Sequence, residues 1–276
     1  MLTARTEGAG RPLVVLPGFG LDAAFMAQAF EPVFAGSANA TRWQRIYLDL
    51  PGAGGSAPVA PSSDAVLEAV AETVEQRLGQ TPFLLAGHSY GGYLATALVR
   101  RLPEQVRGLL LSVSGVKIQP ERRNLTGLQP SHPEPGWLDG VPDELREHFA
   151  RGVGRQTRAV ADRLAEAFAL IAPVDEPYLD ELRATGYALS GPDGPDQPDE
   201  PVPYDGIVSI LAGRRDRIAG YRDQFELLAR YPQADYTLLA EAGHYLPLEQ
   251  PDVFATLTLE WLARVESADD DLGARP

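Results

Sequence analysis

The chain of 276 residues contains no cysteine, so disulfide bonds, thiolate-bound zinc and a cysteine nucleophile are all excluded. It has no apolar run of about 18 residues, the length that a membrane-spanning helix needs. The first eleven residues, Met1 to Arg11, lack the apolar core of a signal peptide. These absences predict a globular protein that stays in the cytoplasm.

Positive charge is scarce as well. Lys117 is the one lysine among 24 basic residues, and the formal net charge is −14. Proteins that bind nucleic acids or anionic membranes normally present a basic surface, so both kinds of partner are excluded and a small-molecule substrate is expected. The preference for arginine over lysine indicates a GC-rich, bacterial genome. The oligomeric state does not follow from the sequence.

The sequence carries no convincing phosphate loop and no metal motif. The segment Gly52-Ala53-Gly54-Gly55 lacks the Gly-Lys-Ser/Thr of a P-loop and does not run directly into a helix. Histidines and carboxylates are nowhere spaced as metal ligands. We therefore expect neither a cofactor nor a metal.

Short apolar runs alternate with helical patterns over most of the chain. Runs that are apolar throughout are typical of parallel strands with helices on both faces. The predicted strands are Leu13–Leu16, Ile46–Leu48, Phe83–Ala86, Leu109–Val113, Ile207–Ala212 and Tyr236–Leu239. The pattern predicts an α/β fold with a doubly wound, mostly parallel sheet.

Helical spacing is clearest where Val66, Val70, Val74 and Leu78 recur every four residues, after a capping serine at position 62 or 63. Other helices are predicted at Ala23–Phe34, Tyr93–Leu102 and Asp223–Arg230, and a closing helix carries Phe254, Leu257, Trp261, Leu262 and Val265.

Residues 116–205 interrupt this alternation. One helix is marked by Val160, Leu164 and Phe168, another by Tyr178, Leu182 and Leu189, and a glycine- and proline-rich linker follows from Gly191 to Pro198. We predict a helical cap at 116–205, inserted into a core formed by 1–115 and 206–276. Residues 267–276, with three consecutive aspartates, are expected to be a disordered tail.

The strongest chemical signal lies between a predicted strand and a predicted helix, in Gly87-His88-Ser89-Tyr90-Gly91-Gly92. A G-x-S-x-G sequence in that context is the nucleophile elbow of a serine hydrolase. Its sharp turn exposes the central side chain, and glycines stand where a Cβ would collide across the turn. Ser89 is the predicted nucleophile.

A serine hydroxyl needs a base within hydrogen-bond reach, and the chain has four histidines. His88 is expected to be a packing residue, while His132 and His148 are expected to lie in solvent. His244 follows the strand Tyr236–Leu239 at the sheet edge where ligands bind, and is therefore the predicted base. Asp216, four residues after the strand Ile207–Ala212, is the predicted acid that orients it.

The developing oxyanion needs two preorganised donors. The backbone N–H of Tyr90, directly after the nucleophile, is the first candidate. The loop Gly18-Phe19-Gly20 after the first apolar run offers the second, the N–H of Phe19.

These segments resemble the α/β-hydrolase superfamily, in the form with a cap after the sixth strand. The matching motifs are Leu16-Pro17-Gly18-Phe19-Gly20, Asp49-Leu50-Pro51-Gly52-Ala53-Gly54-Gly55-Ser56, the elbow at 87–92, Gly213-Arg214-Arg215-Asp216 and Ala242-Gly243-His244 with Glu249-Gln250-Pro251. The resemblance implies the α/β-hydrolase fold, Ser89, Asp216 and His244 as the triad, and Phe19 and Tyr90 as oxyanion donors.

The expected function is hydrolysis of an ester or related acyl bond of a small, largely apolar substrate through an acyl-Ser89 intermediate. Four aromatic residues of the cap, Trp137, Phe149, Phe168 and Tyr178, are expected to line an apolar substrate pocket, although such residues also commonly form core. The same triad serves carbon–carbon bond hydrolases, thioesterases and acyltransferases in related proteins. A hydrolase-like ligand-binding protein is the alternative that is not an enzyme.

Overall fold

The computed structural model describes residues 1–36, 40–126, 133–185, 187–190 and 204–273, with 269–273 described by backbone only. In these residues seven strands form one sheet in the order β1-β3-β2-β4-β5-β6-β7. The strands are β1 Ala4–Glu7, β2 Arg11–Leu16, β3 Trp43–Leu48, β4 Phe83–His88, β5 Val106–Ser112, β6 Ile207–Gly213 and β7 Asp235–Leu239. Only β1 runs antiparallel to its neighbour, so the predicted doubly wound, mostly parallel sheet is confirmed.

Most helices of the sheet connections begin within three residues of the predicted positions, although the helix predicted at Asp223–Arg230 ends four residues earlier and Leu246–Glu249 was not predicted. They are α1 Ala23–Phe34, α2 Ser63–Leu78, α3 Tyr90–Arg101, α7 Tyr221–Glu226, α8 Leu246–Glu249 and α9 Pro251–Gly273. The side chain of Ser62 accepts a hydrogen bond from the N–H of Ala65, so Ser62 caps α2. Helix α9 continues to Gly273, so the predicted disorder from residue 267 is wrong for 267–273.

Both faces of the sheet are buried, which explains the unbroken apolar runs. Along β2, Leu13 and Val15 pack into a core beneath α1 and α9, while Val14 and Leu16 pack into a second core beneath α2 and α3. Alternate side chains of one strand therefore serve two separate cores.

Residues 116–205 connect β5 to β6, and the described part contains three α-helices: α4 Asp143–Gly152, α5 Arg158–Phe168 and α6 Glu176–Ala184. The inserted segment follows β5, which corresponds to the predicted strand Leu109–Val113. Leu189 lies beyond the end of α6, so its assignment to that helix was wrong. His132 and the linker from Gly191 to Pro198 lie outside the described residues.

In the described part of the chain, no helix is long and apolar enough to cross a membrane.

Candidate active site

The turn between β4 and α3 holds Ser89 in a strained conformation. Its φ is +53°, in the left-handed region that side chains other than glycine rarely adopt. A Cβ on Gly87 would lie 2.5 Å from the carbonyl oxygen of Gly91, and one on Gly91 would lie 2.3 Å from that of Leu16. The two glycines therefore permit the turn, which leaves the Ser89 side chain partly exposed at the carboxyl edge of the sheet.

The structure brings the three predicted triad residues together. The Oγ of Ser89 lies 2.9 Å from Nε2 of His244, and Nδ1 of His244 lies 3.0 Å from Oδ2 of Asp216. This network assigns the tautomer: Nδ1–H donates to the carboxylate, which leaves Nε2 free to accept the serine proton. Such an arrangement can activate a serine hydroxyl.

Asp216 is buried and remains ionised. Burial alone would raise the pKa of its carboxyl group. His244 and the backbone N–H groups of Ala219 and Ile218 together lower that pKa by more than burial raises it, so the pKa lies below its usual value. The neighbouring arginines do not compete for it, because Arg215 and Arg217 donate to carbonyl oxygens of the inserted segment instead.

The loop that carries His244 is joined to the inserted segment by a buried carboxylate, Glu249. Its oxygens accept backbone N–H groups on both sides of His244, at Gly243 and Tyr245, and two more from Gly154 and Arg155 of the inserted segment. Burial raises the pKa of Glu249 to about 7, although the four N–H donors favour the ionised form. Glu249 thus fixes the backbone that presents the base.

A second contact makes the same connection. The N–H of His244 donates to the carbonyl oxygen of Gly152, at the end of α4, over 2.7 Å. Gly154 and Gly243 lie so close that a Cβ on Gly154 would be 2.4 Å from the nitrogen of Gly243. The backbone of the inserted segment is therefore in direct contact with the backbone at His244.

A cavity of about 210 Å³ opens beside Ser89 and His244. Phe19 and Tyr90, the predicted oxyanion donors, both line it. Tyr90 is the first residue of α3, and the backbone N–H groups in the first turn of a helix have no acceptor within that helix. Phe19 lies in the loop after β2, where the N–H of Leu21 closes the turn onto the carbonyl oxygen of Gly18.

The expectation that Trp137, Phe149, Phe168 and Tyr178 line the substrate pocket is wrong, since none of the four borders this cavity. The rings of Phe149 and Phe168 pack 5.4 Å apart in the core that α1 and α9 share, and Trp137 belongs to the same cluster. Tyr178 packs against Gly52 on the other face of the sheet. Helical spacing marked a buried face correctly, but that face points into the core.

Sequence reasoning missed other residues that line the cavity, among them Arg183, Tyr187, Ile218 and Tyr245. Tyr187 follows α6, and its ring packs 5.2 Å from that of Phe19. Tyr245 was detectable only as the residue after the base. Arg183 carried no signal, because an arginine in the last turn of a helix usually faces solvent.

The other histidines differ in environment. His88 is buried as a packing residue, as expected, and burial next to His244 lowers its pKa to about 3, so it is neutral at pH 7. His148, expected in solvent, is exposed but lines the cavity, and its Nε2 contacts the hydroxyl of Tyr245. Among the described residues, no group of three or more histidines and carboxylates could hold a metal ion.

Comparison with known proteins identifies the family. The model of the alpha/beta hydrolase family matches residues 13–257, and the chain belongs to that family. An alpha/beta superfamily hydrolase from Oenococcus oeni PSU-1 is 30% identical and superimposes with a TM-score of 0.80, over 95% of this chain and 96% of that one.

Two further relatives match over shorter regions. The pimeloyl-[acyl-carrier protein] methyl ester esterase of Sodalis glossinidius is 33% identical over 55% of this chain, and 2-hydroxymuconate semialdehyde hydrolase of Pseudomonas sp. strain CF600 is 27% identical over 67%. The chain covers 53% of the length of the first relative and 63% of the second.

Proposed function

We propose that this protein is a serine hydrolase that cleaves an ester or a related acyl bond of a small substrate. The observation that carries the proposal is the continuous hydrogen-bond chain from Asp216 through His244 to Ser89, at 3.0 and 2.9 Å. Membership in the alpha/beta hydrolase family and the similarity to an esterase support it.

The reaction follows from the geometry. Nε2 of His244 accepts the proton of Ser89 as Oγ bonds to the carbonyl carbon, and Asp216 stabilises the imidazolium that forms. Collapse of the tetrahedral intermediate breaks the bond to the alcohol, which takes the proton from His244 and leaves. Water, deprotonated by His244, then attacks the acyl-serine, and the acid departs as Ser89 recovers its proton.

The oxyanion is held by the backbone N–H groups of Phe19 and Tyr90 in this proposal. Both residues border the same cavity as Ser89, and the amino terminus of α3 favours the negative charge that develops there.

Labelling with a fluorophosphonate followed by intact-mass measurement tests the activated serine. Wild type is expected to gain one adduct and to hydrolyse short acyl esters, whereas Ser89→Ala gains none. His244→Ala is expected to label far more slowly and to lose at least roughly 10⁴-fold in kcat. Ser190→Ala, which removes an exposed serine, serves as the control and should label normally. A folded wild type that neither labels nor hydrolyses any ester would contradict the proposal.

Hydrolysis of a carbon–carbon bond is the second candidate, because 2-hydroxymuconate semialdehyde hydrolase matches 67% of this chain. Both reactions use the same three residues, so labelling alone does not separate them. Turnover of a ketone substrate at a rate above that of the ester of equal size would favour the second candidate.

A further inference from the structure

The charge of the cavity is opposite to that of the molecule. The chain carries a net charge of −14, yet the described residues that line the cavity include Arg123 and Arg183 and no aspartate or glutamate. Asp216, the carboxylate of the predicted triad, is hydrogen-bonded to His244 and is buried behind it. A cavity of this sign attracts an anionic group.

Arg183 presents its charge at the cavity. It lies in the last turn of α6, and its guanidinium stands 4.9 Å from the ring centroid of Phe19, whose backbone N–H is the proposed oxyanion donor. Its ion-pair partner among the described residues is Asp180, three residues earlier on the same helix, and both side chains are more than half exposed. Exposed pairs of this kind are weak, so a ligand carboxylate can take the place of Asp180.

Arg123 also adds positive charge, and among the described residues no carboxylate forms an ion pair with it. Its guanidinium donates to the carbonyl oxygens of Lys117, Ile118 and Ile218 and to the hydroxyl of Tyr187. All four acceptors are neutral, and they hold the side chain in place beside the cavity. Arg123 therefore supplies a fixed positive potential, while Arg183 keeps donors that a ligand can use.

We propose that the substrate is a small ester that also carries a carboxylate, and that Arg183 binds this second group. This inference rests on the proposed function and names its substrate class. An arginine fork matches a carboxylate through two parallel hydrogen bonds. The cavity volume of about 210 Å³ is smaller than the roughly 300–1,000 Å³ of pockets for drug-sized ligands, which favours a short chain between ester and carboxylate.

The test compares substrates that differ only in charge. Monomethyl esters of short dicarboxylic acids are paired with the same esters in which an amide replaces the free carboxylate. We expect wild type to prefer the carboxylate in kcat/KM, and Arg183→Gln to reduce the carboxylate-to-amide ratio by about ten- to a hundredfold, the range for a hydrogen bond between charged groups. Arg183→Lys should retain part of the preference.

Arg146→Gln is the matched control. Arg146 also lies on a helix of the inserted segment and pairs with an aspartate three residues earlier, but it does not line the cavity. Its substitution should leave the ratio unchanged. A second arm uses acetate esters of short hydroxy acids and their amides, which places the carboxylate on the alcohol side. A preference in either arm that Arg183→Gln removes supports the inference. The arm that shows it tells whether Arg183 binds a carboxylate on the acyl side or on the alcohol side of the ester.

Equal rates for carboxylate and amide in both arms would overturn the inference. If wild type still labels with the fluorophosphonate and cleaves the neutral esters, the proposed function stands without this substrate class. If wild type neither labels nor cleaves any ester, the proposed function fails and the inference fails with it.

Discussion

Ser89 stands in a conformation that its side chain disfavours, and the proposed function needs that side chain. A residue other than glycine at φ +53° costs of order 1–3 kcal/mol in folding free energy. We expect Ser89→Gly to be more stable than Ser89→Ala by about 1 kcal/mol, because glycine adopts this backbone without a Cβ clash. Urea denaturation of the two inactive variants measures the difference.

The control pair for this comparison is Ser209→Gly and Ser209→Ala, at a buried position in the extended strand β6. There the order should reverse, since glycine weakens the interior of a strand. Equal stabilities of the two variants at position 89 would mean that the turn carries no strain.

His88 gives the protein a specific sensitivity to acid. Its pKa is about 3 in the folded state because of burial, and its ordinary value is 6.5. Between these values the unfolded chain binds the proton and the folded chain does not, so stability is retained above pH 6.5 and lost as the pH falls. His88 accounts for a loss of about 1.4 kcal/mol per pH unit over this range.

Replacing His88 by leucine removes that contribution. The free energy of unfolding, measured from pH 7 to pH 5, should fall less steeply for His88→Leu than for wild type. Phe83→Leu, at a buried position of the same strand without a titratable group, is the comparison and should keep the wild-type slope. A wild-type slope for His88→Leu would show that His88 takes up its proton in the folded state.

Among the elements, the loop that carries His244 depends on Glu249 in the short helix α8. Glutamine at this position would turn an amide NH₂ towards backbone N–H groups that now donate to a carboxylate. We expect Glu249→Gln to lower the free energy of unfolding by about 1–3 kcal/mol, the cost of leaving buried polar groups unpaired. It should also lower kcat by more than it alters KM, because the base loses its position.

Chemical denaturation and steady-state kinetics check both parts of this prediction. Glu260→Gln, on the exposed side of α9, removes a carboxylate of an i,i+4 pair with Arg264 and should change neither quantity by much. A variant at position 249 with wild-type stability and kcat would refute the positioning role.

The sequence allowed the strands and the triad to be predicted, but not the cavity. Runs such as Leu13–Leu16 are apolar because both faces of the sheet are covered, and His244 could be chosen because few histidines compete. Phe149 and Phe168 misled the prediction, since helical periodicity identifies a buried face without telling what lies opposite. Arg183 had no signal at all, because its place at the cavity depends on contact with Phe19, 164 positions earlier in the chain.

On the scale of the whole molecule, the charge near the cavity differs in sign from the net charge of the chain. The excess of acidic residues lies away from the cavity, whose described lining carries arginine and histidine. The net charge of −14 therefore does not describe the surroundings of the cavity. Net charge governs long-range approach, whereas binding responds to the few groups at the site.

The contact between Gly154 and Gly243 bears on how such a protein can be recombined. The inserted segment is continuous in sequence and could be exchanged between relatives as a single piece. Its backbone, however, contacts the backbone beside His244. A transplanted segment without the turn at 152–155 would leave the carboxylate of Glu249 with half of its donors. Chimeras should therefore take residues 242–249 from the same parent as the segment between β5 and β6.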